Sequence, residues 1–247
     1  MKKVQIFGLA TILIITLTTI TGVYAKDKQD TTLATYKKDI TGDKQQDRID
    51  IKGSPDGKNF NAIEIEIVTS KNKKFNIPLS SHQKPKVLFK DLNQDGIKDL
   101  FVMALEIDKE NANEYHLYSF KDDQFINIEL PDPLSLTAQY ENDYQASIVI
   151  DKTGNEYRID LKSKMENFER TGLYQNGRLN EPTELLVHTF QQITPVRLRD
   201  MKMGLRASQR IGDSYSGASI ANVVSIWKWT NERWELHKTV VKTRGSE

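Results

Sequence analysis

The chain has 247 residues, of which 38% are hydrophobic and 28% charged, which is enough apolar material for a core and excludes a chain disordered throughout. Lysine and arginine number 35 against 34 aspartates and glutamates, which excludes the strong basic excess of a dedicated nucleic-acid-binding protein. A mean hydropathy of −0.56 excludes a polytopic membrane protein, and the absence of cysteine excludes disulfide scaffolds and thiolate metal sites.

The chain begins with the features of an export signal. Two lysines follow Met1, and residues 4–25 carry no charge. Val23 and Ala25 are residue types that signal peptidase accepts before its cleavage site. We therefore predict a signal peptide over residues 1–25. An uncleaved membrane anchor is the alternative, because 22 uncharged residues are long enough to cross a bilayer. Both interpretations place the rest of the chain outside the cytosol, secreted or at the cell surface or envelope.

The mature part is predicted to contain a polar N-terminal arm, residues 26–34, and a β-repeat domain, residues 35–247. Alternating apolar and polar residues interrupted by short polar turns predict four hairpins. They lie at residues 63–77, 113–130, 147–161 and 223–237. Residues 162–170 are the one stretch with a helical pattern, and residues 171–183 contain the glycines, asparagines and proline of a loop.

The hairpins belong to a unit of roughly 50 residues that recurs about four times, a spacing within the range of propeller blades. The acidic segment 39–47 is repeated 52 residues later at 91–99, and an apolar strand follows each copy. The unit at 133–190 keeps its hairpin without an acidic segment. We therefore predict an all-β fold, a small or incomplete β-propeller-like array of about four hairpin repeats. An offset of 108 from the second copy aligns Gly204 with Gly96.

The segment 91–99 has the spacing of a calcium-binding turn. Its candidate ligands are Asp91, Asn93, Asp95, the carbonyl of Ile97, and Asp99. Calcium takes six to eight oxygen ligands, and alternate residues of a tight turn direct their oxygens inward. Three carboxylates within nine residues repel one another unless a cation is present. An ordinary turn rich in aspartate and asparagine is the alternative.

The pattern Asp-x-Asn-x-Asp-Gly-x-x-Asp followed by an apolar strand resembles the calcium turn of FG-GAP/VCBS repeats, which occur in integrin-type β-propellers and many exported bacterial proteins. The resemblance covers about half of the chain. It implies blades of about four strands and structural calcium at the acidic turns. The ligands that it implies for the earlier copy are Asp39, Thr41, Asp43 and Asp47. That copy has Lys44 where glycine is expected, so calcium and an empty turn both stay open there.

Two further groups of residues have a structural and a functional interpretation. Trp227, Trp229 and Trp234 are predicted to pack the last hairpin, with a sugar-stacking platform as the alternative. Residues 212–217 contain a Gly-Asp-Ser triplet seen in some hydrolases, but they lack the strand-to-helix elbow of a nucleophilic serine and are predicted to form a turn. The four histidines show no metal-ligand spacing.

These observations predict an exported, non-enzymatic binding protein, associated with the envelope or spore surface and stabilised by calcium. Its expected partner is an extracellular protein or a glycan, with no nucleic acid, and it contacts a membrane only if the N-terminal segment is uncleaved. A secreted hydrolase with a site not recognisable in the sequence is the alternative. A cleft that brings together Ser214, a histidine and a carboxylate would favour it.

Overall fold

The computed structural model describes residues 30–57, 59–105, 113–121 and 124–243. The predicted signal peptide, residues 1–25, lies outside them, as do residues 26–29 of the predicted arm. Within the described residues, no helix is both long and apolar enough to cross a bilayer.

The described residues contain seventeen strands and one short α-helix. The first sheet consists of β1 (Thr31–Lys38), β2 (Asp47–Asp56), β3 (Asn59–Val68) and β4 (Lys74–Leu79). The second consists of β5 (Lys86–Lys90), β6 (Asp99–Leu105), β7 (Asn113–Lys121) and β8 (Gln124–Asn127). The third consists of β9 (Leu136–Glu141), β10 (Gln145–Ile150) and β11 (Asn155–Asp160). A 3-10 turn (Lys162–Lys164), α1 (Met165–Arg170) and the short hairpin of β12 (Tyr174–Gln175) and β13 (Arg178–Leu179) follow. The last sheet consists of β14 (Leu186–Arg197), β15 (Met203–Gly212), β16 (Ser219–Thr230) and β17 (Arg233–Thr243).

Each of the four main sheets is an antiparallel meander whose neighbouring strands are consecutive in the chain. Their first strands begin at residues 31, 86, 136 and 186, so the predicted repeat of roughly 50 residues is confirmed. The all-β class, the four predicted hairpins and the helix within 162–170 are also confirmed.

Two segments differ from the sequence-based expectation. Residues 31–34 of the predicted arm belong to β1, which pairs with β2 along the edge of the first sheet. An edge strand exposes many side chains to water, so polar residues do not prevent it from forming. The predicted loop 171–183 contains the hairpin of β12 and β13.

Strand β6 separates two hydrophobic cores. Leu100 and Val102 pack with the residues of the first sheet, whereas Phe101 packs with residues of the third and fourth sheets. These three side chains have no exposed surface, because successive residues of a strand point to opposite faces and both faces of this strand are covered. The near-continuous apolar sequence of β6 follows from this position.

The fourth sheet lacks the long turn of the first two. A short turn joins β14 to β15, and Gly204 lies inside β15, where it pairs with Val196 and Lys228. The sequence alignment of Gly204 with Gly96 is therefore wrong. Gly96 lies in a turn at a φ of +88° with open space around it, whereas a Cβ on Gly204 would overlap the carbonyl oxygen of Trp227.

We therefore expect substitution of these two glycines to lower the free energy of unfolding by different amounts. We expect Gly204→Ala to lower the free energy of unfolding by about 3 kcal/mol, because backbone must move to accept the methyl group. Gly96→Ala is expected to lower it by about 1 kcal/mol, because the only cost is the positive φ. Urea denaturation measures both. Equal losses of unfolding free energy would show that steric crowding does not explain why glycine occupies position 204.

Candidate functional site

Two acidic turns lie side by side at the same end of the first and second sheets. The first acidic turn, residues 39–47, connects β1 to β2, and the second acidic turn, residues 91–99, connects β5 to β6. Gly42 of the first packs against Ile97 of the second so closely that a Cβ on Gly42 would lie 2.6 Å from Ile97 Cδ1.

The two turns share one backbone conformation. The fourth and sixth residues have positive φ in both, at +79° for Gly42 and +67° for Lys44, and at +63° for Gln94 and +88° for Gly96. The predicted equivalence of Lys44 and Gly96 is thus confirmed, and Lys44 occupies a conformation that favours glycine. In both turns the carboxylate of the first residue accepts a hydrogen bond from the N–H of the sixth.

The last residue of the first acidic turn, Asp47, is buried and fully hydrogen-bonded. Its Oδ2 accepts hydrogen bonds from the N–H groups of Ile40 and Thr41 at 2.9 and 3.2 Å. Its Oδ1 accepts one from the N–H of Ser70 at 2.9 Å. Because both oxygens have donors, the burial of this charge is compensated without a cation.

The second acidic turn is not compensated in the same way. Oδ2 of Asp99 accepts hydrogen bonds from the N–H groups of Leu92 and Asn93 at 2.7 and 3.1 Å. Oδ1 of Asp99 and Oδ1 of Asp91 are buried and have no hydrogen bond of normal geometry in the described structure. Burial raises the pKa of Asp99 to about 6 and raises that of Asp91, and the nearby Asp95 carboxylate raises both further.

The other predicted ligands in this turn bond to their own backbone and neighbours. Asn93 Oδ1 accepts a hydrogen bond from the Asp95 N–H at 3.1 Å, and Asp95 Oδ1 accepts one from the Ile97 N–H at 2.8 Å. Asn93 Nδ2 donates to Asp95 and to Ser119 Oγ. The Ser119 hydroxyl also donates a hydrogen bond to the Asp99 carboxylate, outside normal geometry, and lowers its pKa by less than burial raises it. Among the described residues, no group of three or more acidic, histidine or cysteine side chains is placed to hold a metal. Calcium therefore stays a prediction.

A cleft of about 970 Å³ lies beside the second acidic turn, between the second and fourth sheets. Asn93 and Asp95 line one wall, and Trp227, Trp229 and Trp234 line another. These are all three tryptophans of the chain. Binding clefts of this volume hold small ligands in many proteins, and aromatic side chains commonly line them.

The tryptophans differ in how far they are buried. Trp227 is 5% exposed and belongs to the core, and its Nε1 donates to Ser225 Oγ at 2.8 Å. Trp229 and Trp234 are half-buried cross-strand partners with ring centroids 5.1 Å apart at an interplanar angle of 71°. The predicted packing role is confirmed for all three: Trp227 lies in the core, and Trp229 and Trp234 pack against it. Trp229 and Trp234 also form an aromatic surface that lines the cleft.

The cleft and the second acidic turn are directly joined. Gln94 Nε2 donates a hydrogen bond to the Trp229 carbonyl at 3.0 Å. The two residues are 135 positions apart, so no local sequence pattern indicates this contact. The sequence reasoning found the turn and the tryptophans separately but missed that they form one site.

The charges around the cleft nearly cancel. Four acidic residues line it: Asp95, Glu129, Asp132 and Glu232. Three basic residues line it: Lys121, Lys152 and Arg233. Lys152 Nζ lies 5.6 Å from the centre of the Trp227 ring, a cation–π contact that covers part of this ring. A neutral ligand with hydroxyl or amide groups fits this balance better than a polyanion.

The segment 212–217 forms the predicted turn. Asp213 is 2% exposed, and its Oδ1 accepts a hydrogen bond from the Tyr215 N–H at 2.8 Å. Ser214 is exposed on this turn, while His188 Nε2 bonds to the Arg210 guanidinium at 3.0 Å. His188 is therefore directed at a cation and not at the serine of a hydrolase.

The family model of the YybI C-terminal domain matches residues 134–242. Over 219 residues the chain is 25% identical to the uncharacterized protein YybI of Bacillus subtilis (strain 168), an alignment that covers 85% of this chain and 84% of that protein. No solved structure matches the chain.

These comparisons correct the resemblance to FG-GAP/VCBS repeats, which is wrong as a family assignment. The matching family is a different one, and no FG-GAP/VCBS family matches. The match covers the third and fourth sheets, which lack acidic turns. The acidic pattern stabilises a long turn between two strands, because aspartate and asparagine side chains accept hydrogen bonds from nearby backbone N–H groups.

The equivalent aspartates of the two turns predict opposite responses to substitution in chelator-treated protein. At pH 8 we expect Asp99→Asn to raise the free energy of unfolding by about 1–2 kcal/mol, because the amide keeps the oxygen that accepts two hydrogen bonds and removes a buried, only partly compensated charge. Asp47→Asn is expected to lower it by about 1–3 kcal/mol, because its NH₂ group would face a backbone donor.

The pH dependence follows from the raised pKa of Asp99. Asp99 has a pKa of about 6 in the folded state against an ordinary value of 3.8. The folded state therefore binds the proton more tightly, so the free energy of unfolding of the wild type falls as pH rises between these values. The Asp99→Asn advantage should therefore disappear near pH 4. Urea denaturation at pH 4 and pH 8 measures it, and an Asp99→Asn loss as large as that of Asp47→Asn would show that Oδ1 is compensated after all.

Proposed function

We propose that this chain is an exported, non-enzymatic binding protein that holds a glycan in the tryptophan-lined cleft. The observation that carries the proposal is the convergence of all three tryptophans on one cleft whose lining also contains polar side chains. Sugar rings present flat apolar faces that stack on aromatic rings, and their hydroxyl groups pair with amide and carboxylate side chains such as Asn93 and Glu232.

Charge and shape favour a neutral glycan over other ligands. Four acidic and three basic lining residues provide no excess for a polyanion such as nucleic acid. The concave cleft suits a small or linear ligand, whereas a protein partner usually docks on a broader surface.

Binding of neutral oligosaccharides tests this proposal. All three tryptophans line the cleft, so intrinsic tryptophan fluorescence reports directly on its occupation. We expect a panel of three- to six-sugar oligomers, including glucose and N-acetylglucosamine oligomers, to contain at least one that changes the emission saturably. Trp234→Ala should weaken its binding about tenfold, because one stacking contact is lost.

Two further variants keep the test independent of folding. Glu232→Ala changes an exposed side chain at the cleft and should also weaken binding, without lowering the melting temperature. Tyr215→Ala removes an aromatic residue that is 56% exposed and outside the cleft, and should bind as the wild type does. Absence of saturable binding across the panel would reject the proposal.

We also propose that the four meander sheets are the blades of a small or incomplete propeller-like array. Their regular spacing and the covering of both faces of β6 support this arrangement. An experimental structure tests it: sheets that radiate from a common axis are expected, and a two-layer sandwich would contradict it.

A structural calcium ion at the second acidic turn is a further part of the proposal. Asp91, Asn93, Asp95, the Ile97 carbonyl and Asp99 are the candidate ligands, and the Oδ1 atoms of Asp91 and Asp99 are buried without a hydrogen bond of normal geometry. We expect no ion at the first acidic turn, because both oxygens of Asp47 are already bonded.

Calcium should therefore raise the melting temperature, because only the folded state has the site. A dissociation constant on the order of 10⁻⁴–10⁻³ M gives a shift of about 3–8 °C at 10 mM calcium. Magnesium should give a smaller shift, since it requires a smaller octahedral shell. Asp99→Asn should abolish the shift and Asp47→Asn should retain it. An equal calcium response of wild type and Asp99→Asn would place the ion elsewhere.

Export is proposed from the N-terminal sequence alone. If signal peptidase cuts after Ala25, the N-terminal sequence of the secreted protein begins at Lys26. Membrane-bound protein that still begins at Met1 would instead support the anchor.

A further inference from the structure

We propose that the outer face of the fourth sheet docks on an anionic lipid surface. The outer face is the side of β14–β17 that is turned away from the core, and it carries four cationic side chains: Arg206, Arg210, Lys238 and Lys242. This face is separate from the tryptophan-lined cleft, and the inference does not depend on glycan binding.

The alternation of β15 defines the outer face. Leu205 and Ala207 have no exposed surface and belong to the core. Arg206 and Arg210 occupy the alternate positions of the strand, so they lie on the opposite side of the sheet. Arg206 is exposed and Arg210 is half-buried.

The edge strand β17 adds two lysines to the same face, because cross-strand partners lie on one side of a sheet. The register across β16 gives two cross-strand rows, Arg206–Ile226–Lys238 and Arg210–Asn222–Lys242. Both lysines are exposed. The strand spacing and the rise along each strand place the Cα atoms of the four cationic residues at the corners of a rectangle of about 10 by 13 Å.

The charges of these four side chains are not balanced within the described part of the chain. None of the four forms an ion pair there. Arg210 donates to His188 Nε2 at 3.0 Å, and its Nε is buried without a hydrogen bond to any described residue. The acidic residues at the far end of the face are already paired: Asp200 with Lys228 at 2.7 Å, and Glu235 with Arg233 at 2.9 Å. The outer face therefore presents an uncompensated positive charge, although the whole chain has a formal net charge of only +1.

Exposed apolar side chains border the cations at the other end of the face. Leu186 is 43% exposed and pairs with Gly212, two residues beyond Arg210. Tyr215 is 56% exposed and lies on the turn that follows Gly212. Cations beside exposed leucine and tyrosine are typical of surfaces that bind a membrane interface, where the cations meet anionic headgroups and the apolar groups leave water. A hydrophilic polyanion would leave Leu186 and Tyr215 in water, so the combination favours lipid.

Vesicle sedimentation measures this interaction for the processed chain that begins at Lys26, which contains every described strand. In about 0.1 M salt we expect binding to vesicles of equal parts phosphatidylglycerol and phosphatidylcholine, and binding weaker by about tenfold or more to phosphatidylcholine alone. The double variant Lys238→Gln/Lys242→Gln should bind the anionic vesicles at least about tenfold more weakly, because each cation at such a surface contributes about fivefold. The matched control is Lys37→Gln/Lys38→Gln, the same change on two exposed lysines of the edge strand β1, which should bind as the wild type does.

A second double variant separates lipid from soluble polyanions. Leu186→Ser/Tyr215→Ser should bind the anionic vesicles about fivefold more weakly, because less apolar surface leaves water, and should bind inorganic polyphosphate as the wild type does. Equal affinities of the wild type and Lys238→Gln/Lys242→Gln for the anionic vesicles would overturn the inference. Binding of polyphosphate without binding of vesicles would also overturn it, in favour of a soluble polyanion. Oligosaccharide affinity should be unchanged in every one of these variants, so a failure here leaves the glycan proposal intact.

Discussion

The entry into β2 and into β6 depends on one interaction, a buried aspartate that binds the backbone N–H groups at the start of its own turn. Asp47 and Asp99 close turns of nine residues in this way, and each stands at the first position of the second strand of its sheet. The carboxylates supply the acceptors that backbone carbonyl groups would provide in a tight hairpin. Because the two turns contact each other through Gly42 and Ile97, they also fix how the first sheet meets the second.

The same interaction stabilises one turn fully and the other only partly. Asp47 gains a third donor from the N–H of Ser70, whereas the further donor to Asp99 is the Ser119 hydroxyl, and burial still raises the pKa of Asp99 to about 6. The second turn therefore holds a buried charge that is only partly compensated. The same turn contributes Asn93 and Asp95 to the cleft.

Much of the fold could be predicted because its signals are local. Alternation identified the hairpins, and the spacing of the acidic residues identified two turns with one conformation, including the unusual backbone of Lys44. The cleft could not be predicted, because Gln94 and Trp229 are 135 residues apart in the chain and no local pattern links them. The resemblance to FG-GAP/VCBS repeats was wrong because it depended on an aspartate-rich turn. Such a turn is explained by local hydrogen bonding and is not evidence of common ancestry. Gly204 was misaligned because the sequence does not show that the fourth sheet has a short turn.

We propose that, of the two like-shaped turns, the second holds a calcium ion and the first does not. Anomalous diffraction from crystals grown in calcium tests it most directly, since it locates the ion without reference to activity. A single anomalous peak within coordination distance of Asp91 and Asp99, with none at Asp39 or Asp47, is the predicted result. A peak at the first turn, or none at either turn in saturating calcium, would contradict it.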